Sequence, residues 1–180
     1  IWRRTMLWHV YAPAKRASLL RNIVLATDDA RIAEAALEWE IPCVMTRRDH
    51  ASGTDRVFEA ASKLGVEPHA VIVNIQGDEP ALDPAVIEQL VRPFLHGPVQ
   101  VSNLATPISP EREASPTQVQ VVMAAPGDAL YFSRARIPYD RAGAAGRLLG
   151  PNGLDACATG ATAGLASLPR SPSATPGRLD

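Results

Sequence analysis

Ala70-Val71-Ile72-Val73-Asn74-Ile75-Gln76-Gly77-Asp78-Glu79-Pro80 joins an apolar run to a turn carrying an amide and two acids. Val71, Ile72, Val73 and Ile75 are the residues of a buried strand, which this reading places at the centre of a sheet. Asp83-Pro84 then opens a helix, with Asp83 as its cap and Pro84 at the first helical position. The polar turn therefore lies at the carboxyl end of a strand, the edge of an open α/β sheet where ligands bind. A carboxylate there can hold a hard cation such as Mg²⁺ against substrate phosphates. On local sequence alone the more usual fate of Asp78 and Glu79 is that of solvated turn residues.

Working outward, strands and helices alternate. Met6 to Leu20 has helical spacing, interrupted by Pro13, which lacks the amide hydrogen a helix interior needs. Ile23 to Thr27 is a strand, followed by a helix from Ala30 to Glu38 that Asp28 or Asp29 can cap. Pro42 to Met45 is a short strand and Thr46 to Gly53 a polar loop. Ser52 and Asp55 have capping-box spacing for a helix reaching Leu64. After Pro84 the apolar face is Val86, Ile87, Leu90, Val91 and Phe94. Val99–Ala105, Gln118–Met123 and Ala129–Phe132 read as further strands. The alternation predicts an α/β fold with a mostly parallel sheet, flanking helices and right-handed crossovers.

From Ala142 onward the text changes. No aromatic, Val, Ile or Met follows Tyr139, and Ala, Gly, Pro, Ser and Thr dominate. Such a composition buries too little apolar surface to offset chain entropy. The expected organisation is an α/β domain over residues 1–143 and a disordered or out-of-frame tail over 144–180. A reading-frame slip is consistent with it: the codons for Cys157 to Thr162, read two bases later, can encode Arg-His followed by Gly and Tyr.

Composition narrows the functional classes. A net charge of −1 makes no electrostatic case for nucleic acid or a membrane surface. No apolar run approaches the roughly 18 residues that span a bilayer. The chain opens on Ile1-Trp2-Arg3-Arg4 with no apolar leader, and its two cysteines, Cys43 and Cys157, match no metal spacing. The expected setting is a reducing cytoplasm.

Candidate chemistry sits in the loops that follow strands. Ser52, Gly53 and Thr54 present backbone N–H groups at a helix start, suited to an anion or a base edge. Arg47 and Arg48 can pair with phosphate or stack on a ring, and read equally as solvated arginines beside a helix cap. His50 is a candidate base but, with no partner evident in the sequence, reads better as a hydrogen-bonded loop histidine. Arg134 and Arg136 alternate along an extended segment and so share a face; either can bind a carboxylate, or both can lie on the surface.

Taken together, these loops resemble those of one family. The matching pieces are Ala26-Thr27-Asp28, Thr46 through Arg56 (Thr-Arg-Arg-Asp-His-Ala-Ser-Gly-Thr-Asp-Arg), Val73 through Pro80, and Ala129 through Arg141; Met6 to Tyr11 is similar to the family's first helix. The family is 3-deoxy-manno-octulosonate cytidylyltransferase, the CMP-KDO synthetases of lipopolysaccharide synthesis, and the likeness runs from about Arg4 to Gly143. It implies a fold like the nucleotide-diphospho-sugar transferases and the reaction of CTP with 3-deoxy-manno-octulosonate to CMP-KDO and pyrophosphate, with Mg²⁺. By that resemblance Asp78 ligates Mg²⁺, Gln76 contacts the ribose, Arg47, Ser52 and Gly53 lie near the cytosine, and Arg134 faces the sugar acid. It also implies a homodimer for the full-length protein. The family's opening triphosphate loop with its Arg-Leu-Pro-Gly-Lys run and its late second metal carboxylate have no counterpart here. An incomplete enzyme without detectable turnover is therefore expected. The alternatives are a non-catalytic nucleotide-binding remnant or pseudogene product, or an enzyme of the CMP-acylneuraminate synthetase kind.

Overall fold

The computed structural model describes residues 4–113, 115–125, 127–138, 141 and 148–160. Helix α1 (Met6–Ala14) begins at Thr5, whose side chain accepts from the Trp8 amide. It ends well before Leu20. Pro13 falls in its last turn, and the chain leaves through tight turns in which Arg16 bonds Pro13, Ala17 bonds Ala14 and Leu20 bonds Ala17. Strand β1 (Leu25–Thr27) leads to α2 (Ala30–Glu38), capped by Asp29. Strand β2 (Cys43–Met45) leads to α3 (Gly53–Lys63), capped by Ser52, whose hydroxyl accepts from the Asp55 amide at 3.2 Å. Strand β3 (Val71–Asn74) leads to α4 (Pro84–His96), capped by Asp83. These starts stand where the cap residues predict them, because a cap is a contact over two or three residues and needs no distant partner.

The sheet corrects the parallel expectation. β1 and β2 pair in parallel, with Leu25 opposite Cys43 and Thr27 opposite Met45. Every other pairing among the described residues is antiparallel. Strands β4 (Val101–Pro107), β5 (Gln120–Met123), β6 (Ala129–Ser133) and β7 (Leu149–Ala158) join β3 in a five-stranded sheet of order β3-β7-β5-β6, with β4 also on β7. β3 and β4 run the same way, as a strand–helix–strand unit should, but they are not neighbours. β7 lies between them and runs against both. β5 and β6 are linked by the short loop in which the Ala124 amide bonds Asp128 at 2.8 Å, too short for a parallel crossover.

Two further expectations change with it. β3 is not central: it ends the strand order and pairs with β7 only among the described residues. The centre is β7, inside the segment expected to be a disordered tail from residue 144. Its small side chains mislead a composition reading because a central strand can be packed by small residues when its neighbours come close. A Cβ on Gly150 would lie 2.7 Å from the Val119 carbonyl, so the backbones meet there without room for a side chain. Leu148, Leu154, Ala156 and Cys157 are buried. Residues 142–147 and 161–180 lie outside the described residues, and with them the rest of that tail.

The main core joins α4 to this sheet. Ile87, Leu90 and Val91 pack with Leu82, Leu154 and Ala156, and Ala14 and Ala17 close the cluster from the α1 side. Val86 and Phe94, the other apolar residues of the α4 face, pack against its margin.

Candidate functional site

Three loops gather polar groups after β1, β2 and β3. Gln76, just past β3, reaches the start of α3: a Cβ on Gly53 would sit 3.3 Å from its Nε2. On its other side is β7, where a Cβ on Gly153 would lie 3.2 Å from Glu79 Oε1 and 3.9 Å from Gln76 Cγ. Gln76 is thus held between a helix N-terminus and the central strand. Gly53 lets the helix backbone approach the Gln76 amide, and Gly153 leaves room for the Glu79 carboxylate and the Gln76 stem. Ser52 and Gly53 are exposed at that N-terminus, and Asp78 and Glu79 are exposed on the adjoining turn. The structure therefore brings together Ser52, Gly53, Gln76 and the acidic turn.

The loop between β2 and α3 is fastened from α3. Arg56 Nη1 donates to Thr46 Oγ1 at 2.6 Å and to the Arg47 carbonyl at 3.3 Å, and pairs with Asp28 Oδ1 at 2.8 Å. Arg56 therefore joins the loop after β1 to the loop after β2. The Glu59 carboxylate accepts from the Arg47 amide at 3.1 and 3.3 Å, meets Lys63 Nζ at 2.7 Å, and pairs with His50 Nε2. His50 is the hydrogen-bonded histidine its loop suggests, with a side chain only 6% exposed. Lys63, Arg47 and His50 hold the Glu59 carboxyl down to about 2, with Lys63 the largest influence, against the opposing effect of burial. Asp28, Asp29, Ala30, Arg31 and Arg48 line an open depression alongside. Arg31 beside Asp29 keeps that carboxyl well below the usual carboxylate range.

Two residues on β7 were beyond sequence reading. Gly153 borders Gln76, and Asp155 lies opposite Asn74 in the β3–β7 register. Burial pushes the Asp155 carboxyl upward, partly offset by the Asn74 amide that donates to it at 3.2 Å. Glu59 had one usable signal, its helical spacing with Arg56 and Lys63 on a single face of α3.

The arginine pair departs from expectation. β6 ends at Ser133, whose hydroxyl accepts from the Ala135 amide, and the chain bends there, so Arg134 and Arg136 do not alternate along a strand. Arg136 pairs with Glu113 at 3.2 Å. Arg134 is exposed just beyond β6, which joins the sheet through β5 on the edge of β7 that also carries β3.

Fold and site together define an α/β protein with its polar groups gathered where strands end, the arrangement of nucleotide-binding α/β folds. The chain belongs to the cytidylyltransferase family, whose model matches residues 1–149. It is 57% identical over 143 residues to 3-deoxy-manno-octulosonate cytidylyltransferase of Nitratidesulfovibrio vulgaris, covering 79% of this chain and 57% of the relative. The enzyme of the same name from Oleidesulfovibrio alaskensis is 58% identical over 144 residues, with 79% and 58% covered. The chain thus spans a little over half the length of these relatives. A solved structure of CMP:2-keto-3-deoxy-manno-octonic acid synthetase complexed with CTP superposes with a TM-score of 0.88 at 36% identity, covering 94% of this chain and 69% of that one. 4-Diphosphocytidyl-2C-methyl-D-erythritol synthase, at 15% identity and a TM-score of 0.58, shares the fold.

Proposed function

We propose that this chain carries the nucleotide-binding part of a 3-deoxy-manno-octulosonate cytidylyltransferase, binding CTP for transfer of its CMP group to the sugar acid with release of pyrophosphate. The observation that carries the reading is the meeting of Gly53 and Gln76, two motifs separate in sequence and brought into contact by the fold. The names of the relatives and of the CTP-complexed structural neighbour point the same way. In this reading Arg47, Ser52 and Gly53 face the cytosine and Gln76 the ribose. Arg134 meets the sugar carboxylate. The protein acts as a cytoplasmic homodimer. No helix among the described residues is long and apolar enough to cross a membrane.

Mg²⁺ fits the acidic turn. Asp78 is exposed at the strand end. The described residues contain no group of three His, Cys, Asp or Glu that could cage a metal. Mg²⁺ in nucleotide enzymes needs less than a cage: one or two carboxylates complete a shell supplied mostly by water and phosphate oxygens. Asp78 is the residue that would hold it, and the ion would neutralise charge on the triphosphate. The chain's own share is placement, since phosphoryl-type transfer depends on alignment and charge neutralisation. The α3 N-terminus and Gln76 hold the nucleoside, and Arg47 presents a cation at the cleft margin.

Titration calorimetry of this chain with CTP, ATP and GTP in the presence of Mg²⁺ tests the reading. CTP should bind at least tenfold more tightly than either purine nucleotide. Equal affinity for all three would remove the base-recognition role of the Thr46–Arg56 loop.

A further inference from the structure

We propose that Glu59 is a positioning residue for nucleotide recognition: it locks the Arg47 peptide so that the Arg47 guanidinium is delivered to the cleft. The proposal rests on the CTP reading above and adds a residue that touches no substrate. One carboxylate has about four acceptor sites. Those of Glu59 are taken up by the Arg47 amide, His50 Nε2 and Lys63 Nζ, with Arg47 Nε a further 3.6 Å away. Its side chain is 15% exposed. A carboxylate so occupied has little capacity left for a metal or a ligand, so its role is to hold the loop.

What it holds is specific. The Arg47 N–H is fixed by Glu59 and the Arg47 carbonyl by Arg56, so both polar groups of one residue's backbone are clamped from α3. Lys63 extends the clamp, donating to the Met45 carbonyl at 2.8 Å while it pairs with Glu59. The Arg47 side chain is 68% exposed, with its Nε 3.5 Å from Asp49 and 3.6 Å from the same Glu59 carboxylate, so Glu59 meets both ends of the residue. A fixed backbone under a solvent-facing guanidinium suits a residue that must meet a ligand from a set direction. His50, buried between loop and helix, completes the anchor through the same carboxylate.

The test compares the wild-type chain with E59Q, which keeps the shape and removes the charge, and E59D, which keeps the charge on a shorter arm. CTP titration with Mg²⁺ is paired with thermal melting and amide correlation spectra. E59Q should bind CTP about tenfold or more weakly than wild type. Its spectrum should change at Arg47 and His50 while the resonances of α4 and β7 stay in place. E59D should bind between the two. E59Q binding as tightly as wild type, or E59D more weakly than E59Q, would overturn the proposal. So would spectral changes spread evenly over the fold, which mark a general structural role. If the wild-type chain binds no CTP, the functional reading fails by itself. The spectra then decide the clamp: Arg47 and His50 signals unmoved in E59Q would dispose of it, and shifts confined to them would sustain it.

Discussion

At Glu59 a single carboxyl group makes the loop sensitive to acid. Its folded pKa of about 2 lies below the ordinary 4.5. A depressed carboxyl contributes stability that is complete above its unfolded pKa and is lost as pH falls toward the folded value. The loop should therefore hold its order at neutral pH and down to about 4.5, then loosen toward pH 2. The Arg47 amide resonance is the monitor, and it should follow this transition in the wild-type chain and lose it in E59Q. An Arg47 signal that titrates identically in both proteins would assign the transition to another group. Residues of this kind were partly legible. Ser52 and Asp83 could be identified as caps, and the cap of α2 narrowed to Asp28 or Asp29, because their partners lie two or three positions away. The His50–Glu59 pair spans nine positions and the Arg47–Glu59 contact twelve, so only the folded loop discloses them.

Among the elements, β7 carries the sharpest consequence. Gly150 faces the Val119 carbonyl at 2.7 Å and the Ile108 side chain at 3.0 Å from where a Cβ would stand. One of these neighbours is backbone and has little freedom to retreat. G150A should lower stability by about 2 kcal/mol, as overpacking of a closely fitted interior does. G53A should cost much less, because the atom its Cβ meets is the end of the Gln76 side chain, which can shift. Urea denaturation of the two variants checks the order, and a G150A chain as stable as wild type would mean that β7 and the Gln118–Val119 segment before β5 are not so closely packed. Element by element, the helices were legible from caps and apolar periodicity. β7 was not, since Pro151, Gly153, Ala156 and Ala158 have little strand propensity and owe their strand to pairing with β3 and β4.

For the molecule as a whole, β7 makes the sheet continuous. Its carboxyl half bonds β3 and β4, and its start reaches β5 through the Val121–Leu149 pair. A strand so placed should be among the last to open. Hydrogen exchange at Leu154 and Ala156 should be as slow as at Val73 and far slower than at the exposed Arg48 and Asp49. Rapid exchange across Leu149–Ala158 would restore a domain boundary near residue 143. β4 runs along one edge of β7, so β3 and β5 share its other edge, and β6 joins the sheet through β5.

By itself the sequence determined the helix starts, the presence of most strands, the α/β class and the family, because caps, periodicity and contiguous motifs act over a few residues. It also marked Gln76, Asp78, Ser52 and Gly53 by their places at strand and helix ends. The tertiary structure decided the mixed sheet, the central place of β7 and the clamp on Arg47. These depend on which segments come to lie side by side. Strand pairing is settled by long-range packing, and a strand of small residues declares itself only when its neighbours close around it.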